Sequence, residues 1–393
     1  MAMKYVVIRS PEAADALRGA AFRSAAVGDG PPRLDIQIEE LDVREHALLS
    51  RSSDVVAIAP SMSMCLMKPM ADAAATAVAG GASWGIGAIE ADLSDMTGEG
   101  ITVAVLDTGI DPDHEAFKDV ELRQMNFSED ADGNDTSGHG THCAGTIFGG
   151  PVGGMRIGVA PGIRRALIGK VLGKDGCSSD QVVRAVLWAC DKEAQVISMS
   201  LGIDFPGQVK RLMEKEGLPP DVAASRALEG YRANVLLFER LASLMRARKT
   251  PALLIAAAGN ESRLAENPAW SIAVSPPAVS DGFISVAALR QSDLGLDVAS
   301  FSNFGATISA PGVDIVSAKL KSVNGLMAMS GTSMATPHVA GLAALWGQRL
   351  RQDDEFSISQ LSAKLLASAS KKGLRKGIES AAVGSGLVRA PLD

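Results

Sequence analysis

Aromatic residues are scarce in this 393-residue chain: Phe 10, Trp 4 and Tyr 2 amount to 4% of it. Stacking platforms for nucleic-acid bases therefore have little raw material. A net charge of -7 repels phosphate backbones and anionic bilayers, so neither nucleic acid nor membrane is an expected partner. Only four cysteines occur (Cys65, Cys143, Cys177 and Cys190), at spacings that match no zinc ribbon or redox pair. They read as free thiols. No run is long and apolar enough to span a bilayer. The first twenty residues carry Glu12 and Asp15 where a secretory signal needs an apolar stretch, so a cytoplasmic location is expected, with another export route left open. What the chain does have is 47% hydrophobic residues and 40 glycines. That composition excludes disorder, collagen and coiled coil, and the length fits an enzyme core with a small accessory domain.

The first seventy residues read as a β-α-β-α-β unit, a small α+β domain: strands at Tyr5–Arg9, Leu34–Ile38 and Val55–Ala59, with helices at Pro11–Gly19 and Val43–Arg51. Met62, Met64 and Leu66 then alternate with smaller residues, as in an extended segment with one face buried. Ala- and Gly-rich residues 71–83 read as a linker. From Trp84 onward, nearly continuous apolar runs at 101–106, 166–172, 195–199, 252–257 and 283–287 read as strands buried on both faces. The expected fold class is α/β, a mostly parallel sheet covered by helices over residues 84–393. In such sheets the working groups sit at the carboxyl ends of the strands.

Chemically suggestive residues gather at those ends. Val105-Leu-Asp107-Thr-Gly-Ile-Asp111 puts an acid at the end of a buried strand, where a carboxylate is costly to desolvate without a partner. It is either a turn or cap residue or a working acid. Asp111 and Asp113 read as turn residues. Ser137-Gly-His139-Gly-Thr-His142-Cys143-Ala-Gly145 gives His139 glycines on both sides. A zinc site through His139, His142 and Cys143 fails because His142 and Cys143, being neighbours, point apart on a helix and no second ligand cluster follows. No metal site is expected, and His142 reads as a core histidine. In Ser330-Gly-Thr-Ser333-Met-Ala-Thr-Pro337-His-Val-Ala-Gly341, Ser333 stands where a loop becomes a helix, a place that favours negative charge and also suits an ordinary N-cap. Ala335 occupies the position where the lipase-type elbow needs glycine. His338 lies too far round the helix to serve Ser333. Ala258-Gly259-Asn260 follows another buried strand and offers an amide donor, which either caps a turn or meets a developing oxyanion. The chain order Asp, His, Ser differs from the chymotrypsin and α/β-hydrolase orders.

The three blocks around Asp107, His139 and Ser333 together resemble the signatures of the subtilisin-like serine peptidases, the subtilases. The resemblance covers Trp84 to the C-terminus. It implies a three-layer fold and peptide-bond hydrolysis through an acyl-enzyme, with Ser333 as nucleophile, His139 as base and then acid, and Asp107 orienting the imidazole. Asn260 and the Ser333 amide would hold the oxyanion. Ser200-Leu201-Gly202 and Gly176-Cys177-Ser178 resemble the two edges that pair with an extended peptide substrate. Ala258 and Gly259 would wall the cleft, and Ser275 stands where many relatives have glycine at the floor of the main specificity pocket. A shallower pocket, and a preference for medium apolar residues such as Leu or Met before the cut, is implied. Cys143 resembles a thiol that some branches carry beside the catalytic histidine.

Residues 1–70 resemble the family's ferredoxin-like inhibitory propeptides, which implies an intramolecular inhibitor whose segment Met62–Met67 fills the cleft and self-cleavage near Leu66–Met70. No cofactor is expected. The family's usual calcium site loses two ligands here, to Ala116 and Val152. The stretch 203–250 is longer than the family's usual connection, and apolar residues at Ala224, Leu228, Tyr231, Val235, Leu241 and Met245 predict an inserted amphipathic helix. A peptidyl transferase, a maturation peptidase for one precursor and a non-cleaving peptide binder stay open as alternatives.

Overall fold

The computed structural model describes residues 3–10, 35–67 and 81–392. Strands β1 (Met3–Arg9), β2 (Asp35–Leu41) and β3 (Val55–Pro60) form an antiparallel sheet with β1 in the middle, and α1 (Val43–Leu49) joins β2 to β3. Helix α1 starts where it does because Asp42 accepts from the amides of Arg44 and Glu45 while Glu45 reaches back to the Asp42 amide. The expected helix at 11–19 and residues 71–80 of the expected linker lie outside the described residues. The end of that linker is ordered structure, since Gly81–Ala82 pairs in parallel with Met155–Arg156.

Then follow β4 (Ser63–Leu66), β5 (Val103–Asp107), β6 (Glu121–Asn126), α2 (His139–Phe148), β7 (Arg165–Lys170), β8 (Cys177–Ser178), α3 (Ser179–Asp191), β9 (Val196–Met199) and β10 (Leu201–Ile203). The long stretch after β10 is two helices, α4 (Phe205–Glu216) and α5 (Pro220–Arg246). Asp204 caps the first and Gly217, at φ 66°, ends it. β11 (Leu253–Ala257), β12 (Phe283–Arg290), β13 (Asp297–Val298), β14 (Ile308–Pro311) and α6 (Thr332–Gln352) complete the parts that frame the site.

The central sheet runs β13-β12-β11-β9-β5-β7-β6, with β14 beside β12; every neighbouring pair is parallel except β12 and β13. Its strands are apolar on both sides because both sides are covered. Val103 and Val105 of β5 enter the core beneath α2 and α6, whereas Ala104 and Leu106 enter the core beneath α3 and α5. The result is three layers, as expected. Val6, Ile8, Ala57 and Ala59 of the N-terminal sheet share that second core, so this sheet lies as a further layer over α3 and α5.

Two expectations need correction. Helix α5 buries only part of the predicted stripe: Leu241 and Met245 are buried and Tyr231 and Val235 half-buried, but Ala224 and Leu228 are exposed, and the buried face is Ala223, Ala227, Gly230, Asn234, Leu237, Phe238, Leu241, Ala242 and Met245. Ala223 and Ala227 pack with Leu212 of α4, and Gly230 faces Pro60 and Met62, so hydrophobic size is a poor guide to that face. In the segment before the linker, Met62 and Met64 are buried as expected, but the next buried side chain is Met67 and not Leu66, because the chain leaves the strand after Leu66.

Candidate active site

Sheet register sets the frame. Leu106 lies beside Met199 and Met199 beside Ala256, so the residues that follow (Asp107, Ser200 and Ala257) emerge together at the carboxyl edge. Asp107 is 1% exposed and its Oδ1 meets His139 Nδ1 at 2.8 Å. The same oxygen accepts from the Thr108 amide at 2.7 Å. His139 opens α2 behind Gly138, whose φ of 89° is one that side chains rarely adopt. Asp135 holds this turn: it accepts from the amides of Ser137, Gly138 and Thr141 and from the hydroxyls of Thr108 and Thr141. At Gly140 an added Cβ would collide with the Gly109 carbonyl, so the close approach of α2 to the Asp107 loop needs glycine there.

Ser333 is fully buried at the first turn of α6. Pro337 sits one turn later and has no N–H for the Ser333 carbonyl, which ordinary helix geometry would pair with it. That carbonyl accepts instead from Ser200 Oγ and Cys143 Sγ, each at 3.3 Å. One missing amide thus ties the serine to β9's exit and to the histidine helix. Asn260 is oriented by Thr332, whose amide and hydroxyl donate to Asn260 Oδ1 at 2.9 and 2.8 Å. Its Nδ2 end is thereby turned toward Gly331, where a Cβ would stand 3.1 Å from it. Ala258 and Gly259 are fixed by Asn303, which donates to the Ala258 carbonyl at 3.3 Å and to Glu261 Oε2 at 2.7 Å, and by Thr332 Oγ1, which accepts from the Gly259 amide at 3.2 Å.

The cleft is filled by the chain itself. β4 lies between β8 and β10, antiparallel to both: Cys177 faces Met64 and Ser178 faces Ser63 on one side, while Leu201 faces Leu66 and Gly202 faces Cys65 on the other. At Gly176, φ 85°, a Cβ would press on the Met64 carbonyl. The Met67 amide donates to the Ser200 carbonyl at 3.4 Å, and Ser333 Oγ donates to the Met67 carbonyl at 3.0 Å. His139 Nε2 has no hydrogen-bond partner among the described residues. The Met67 side chain is 2% exposed, and its methyl lies where a side chain on Gly202 would be, next to Ser275 Oγ. Every substrate-edge residue expected from the sequence is therefore on or beside this one strand.

Electrostatics separates the three buried histidines of the Gly-His and Ser-Met blocks. Burial works against a charge on His139, yet the Asp107 carboxylate, with Cys143 behind it, outweighs burial and raises the imidazole well above the ordinary 6.5. His142 Nε2 donates to the Ile315 carbonyl at 2.8 Å, and burial drives it down to about 3. His338, bonded to the Met334 carbonyl, falls to about 4 for the same reason. His142 is the core histidine expected. The donor atoms of Asp107, His139 and Cys143 lie within 4.8 Å of one another, so the convergent trio replaces His142 by the acid. Burial pushes the Cys143 thiol up, against the pull of His139.

Ala116 and Val152 are both buried in the apolar core; the Ala116 carbonyl accepts from the Gly150 amide, and Val152 pairs with Met155. Neither brings a side-chain oxygen. Thr332, Asn303 and Asp135 were not singled out from sequence. Asp135 stands four residues before His139 and Thr332 touches Ser333 in the chain, which is signal of a kind; Asn303 offers none.

Residues 98–386 match the model of the Subtilase family. Among curated proteins, "Subtilisin-like protease 1" of Arthroderma gypseum is 33% identical over 280 residues, covering 67% of this chain and 48% of that protein. "Subtilisin-like protease 1" of Trichophyton rubrum is 33% identical, with 67% and 46% covered. "Subtilisin-like protease 2" of Pseudogymnoascus destructans is 33% identical over 278 residues, with 67% and 58% covered. The matched region spans about half the length of these relatives. Among the described residues, no helix is long and apolar enough to cross a membrane.

Proposed function

The chain belongs to the subtilase family, and from that membership we propose that it is a serine endopeptidase made with its own inhibitor in place. The observation that carries the reading is Ser333 Oγ at 3.0 Å from the carbonyl of Met67, in a strand paired on both sides like a bound peptide. In the reaction, Ser333 Oγ attacks a carbonyl carbon at that place and its proton passes to His139 Nε2. Asp107, bonded to Nδ1, fixes the tautomer and stabilises the imidazolium. The oxygen, now negative, takes hydrogen bonds from Asn260 Nδ2 and the Ser333 amide, which are held in place beforehand by Thr332 and the start of α6. Collapse expels the amine, which takes the proton from His139, and leaves an ester on Ser333. Water, activated by the same imidazole, then releases the acid.

The buried Met67 supports a preference for a medium, unbranched apolar residue before the cut, with Ser275 limiting depth. It also supports, within the expected stretch Leu66–Met70, self-cleavage at the bond between Met67 and Lys68, with the N-terminal unit (residues 1–67) left as a dissociable inhibitor. We propose no metal in catalysis and no calcium at the loop of Ala116 and Val152. Four free thiols fit action in a reducing compartment.

Intact-mass spectrometry tests the reading. The wild-type chain is expected to split after Met67 and to accept a fluorophosphonate at Ser333, and Ser333→Ala is expected to stay whole and unlabelled. An intact, unlabelled wild-type chain would overturn it.

A further inference from the structure

The grip on the chain does not end where β4 begins. The Ser179 amide donates to the Met62 carbonyl at 2.9 Å, and the Met62 amide donates to Ser179 Oγ at 3.2 Å. Ser61 Oγ donates to Asp180 Oδ1 at 2.7 Å, on a carboxylate that is fully buried. The Pro60 carbonyl accepts from Asn234 Nδ2 at 2.8 Å. Asn234 is fully buried on α5, in the stretch that lengthens the connection between β10 and β11, and its Oδ1 has no partner among the described residues. Pro60 has no N–H to give it. One turn earlier on α5, Gly230 leaves a gap: a Cβ there would meet Met62 Sδ at 3.1 Å and Pro60 Cγ at 3.4 Å, and its nearest atoms all belong to those two residues.

We propose that α5, together with Ser179 and Asp180 at the start of α3, forms a further substrate subsite that binds the sixth, seventh and eighth residues before the scissile bond. With Met67 as the first residue, these are the places of Met62, Ser61 and Pro60. The subsite takes an unbranched apolar side chain over Gly230, a hydrogen-bond donor on Asp180 and a backbone carbonyl on Asn234. A short peptide leaves Asp180 with Ser178 and Arg184 and leaves Asn234 Nδ2 with the Gly230 carbonyl, so the discrimination comes from what the long peptide adds: its own hydrogen bonds to these groups and the apolar side chain it buries over Gly230. The substrate class follows: polypeptides able to lie extended for at least eight residues before the cut, such as unfolded chains or long loops, in preference to short peptides. This inference rests on the peptidase reading above.

Two quenched fluorogenic peptides with the same residues after the cut test it. One carries Pro-Ser-Met-Ser-Met-Cys-Leu-Met before the bond, and the other begins at the second serine of that series. For the purified wild-type protein, kcat/KM for the long peptide is expected to exceed that for the short one at least about tenfold, the factor that 1.4 kcal/mol supplies. In Gly230→Leu, which fills the gap while favouring the helix, that ratio is expected to fall toward one. Equal values for the two peptides in the wild type, or a ratio untouched by Gly230→Leu, overturn the subsite and leave the peptidase reading standing. Failure of the split protein, freed of residues 1–67, to cut either peptide overturns both.

Discussion

Replacing Met67 by alanine, in a chain that also carries Ser333→Ala so that no cut intervenes, is expected to loosen the strand in the cleft and little else. Met67 is 2% exposed, with its methyl packed at Gly202 and Ser275. Burying a methionine side chain fully is worth about 1.5–3 kcal/mol, and truncation adds the cavity left behind. A loss of about 2–3 kcal/mol is therefore reasonable for Met67→Ala, and it falls on the equilibrium in which the segment leaves its place between β8 and β10. At 1.4 kcal/mol per factor of ten, opening becomes about 30–150 times more frequent. Native-state hydrogen exchange reads this directly under conditions where exchange follows the opening equilibrium. The amides of β4, together with that of Ser179, which donates to the Met62 carbonyl, are expected to exchange faster by that factor. Amides of β11 at the centre of the sheet are expected to keep their rates. Unchanged exchange in β4 would refute the packing argument. Equal acceleration in β4 and β11 would refute the claim that the segment opens separately from the sheet.

Three further outcomes follow from the site. Because His139 is raised well above 6.5 and must be neutral to accept a proton, the rate of peptide hydrolysis is expected to climb with pH along a limb centred above 6.5; a limb centred at or below 6.5 contradicts the assignment. His142 and His338 lie near 3 and 4 in the fold against 6.5 when unfolded, so the unfolded chain takes up their protons first. Their contribution to stability is complete above pH 6.5 and is lost as pH falls toward 4 and then 3; NMR should find two imidazoles that stay neutral from pH 8 to 5. Gly140→Ala drives a methyl into the Gly109 carbonyl and displaces His139 from Asp107, so kcat/KM is expected to drop about a hundredfold, the scale of a 1 Å misplacement, with modest loss of melting temperature.

The central strands and the residues at their ends were legible because burial on both faces leaves a continuous apolar run that ends in an abrupt polar residue, as at Leu106-Asp107 and Ala258-Gly259-Asn260. β6 was not legible: Glu121–Asn126 is an edge strand with exposed, polar residues and no period to read. The same limit hid the packing face of α5, where Gly230 and Asn234 matter for what they leave room for or bond to. Asp107, His139 and Ser333 announce themselves through glycines and chain order. Their supports do not, because Asn303 and Thr332 bond to groups far away in the chain that only folding brings to them, and Asp135 shows its role only through the turn it holds. The difference between Leu66 and Met67 turned on where a four-residue strand stops, and alternation alone cannot say where a strand ends.

The strand held in the cleft also has a consequence in concentrations. A peptide tethered to its own site is present there at an effective concentration of about a millimolar or more, whatever the dilution of the protein. A free substrate at micromolar levels competes against that figure, so under the proposed function an uncut chain is expected to stay silent to nearly any substrate, and dilution is expected to change nothing. If the chain is broken after Met67 as proposed, the same strand becomes a separate ligand that obeys mass action. Blockade then weakens on dilution and strengthens when molecules crowd together, so one bond decides whether silence is a property of each molecule or of the solution.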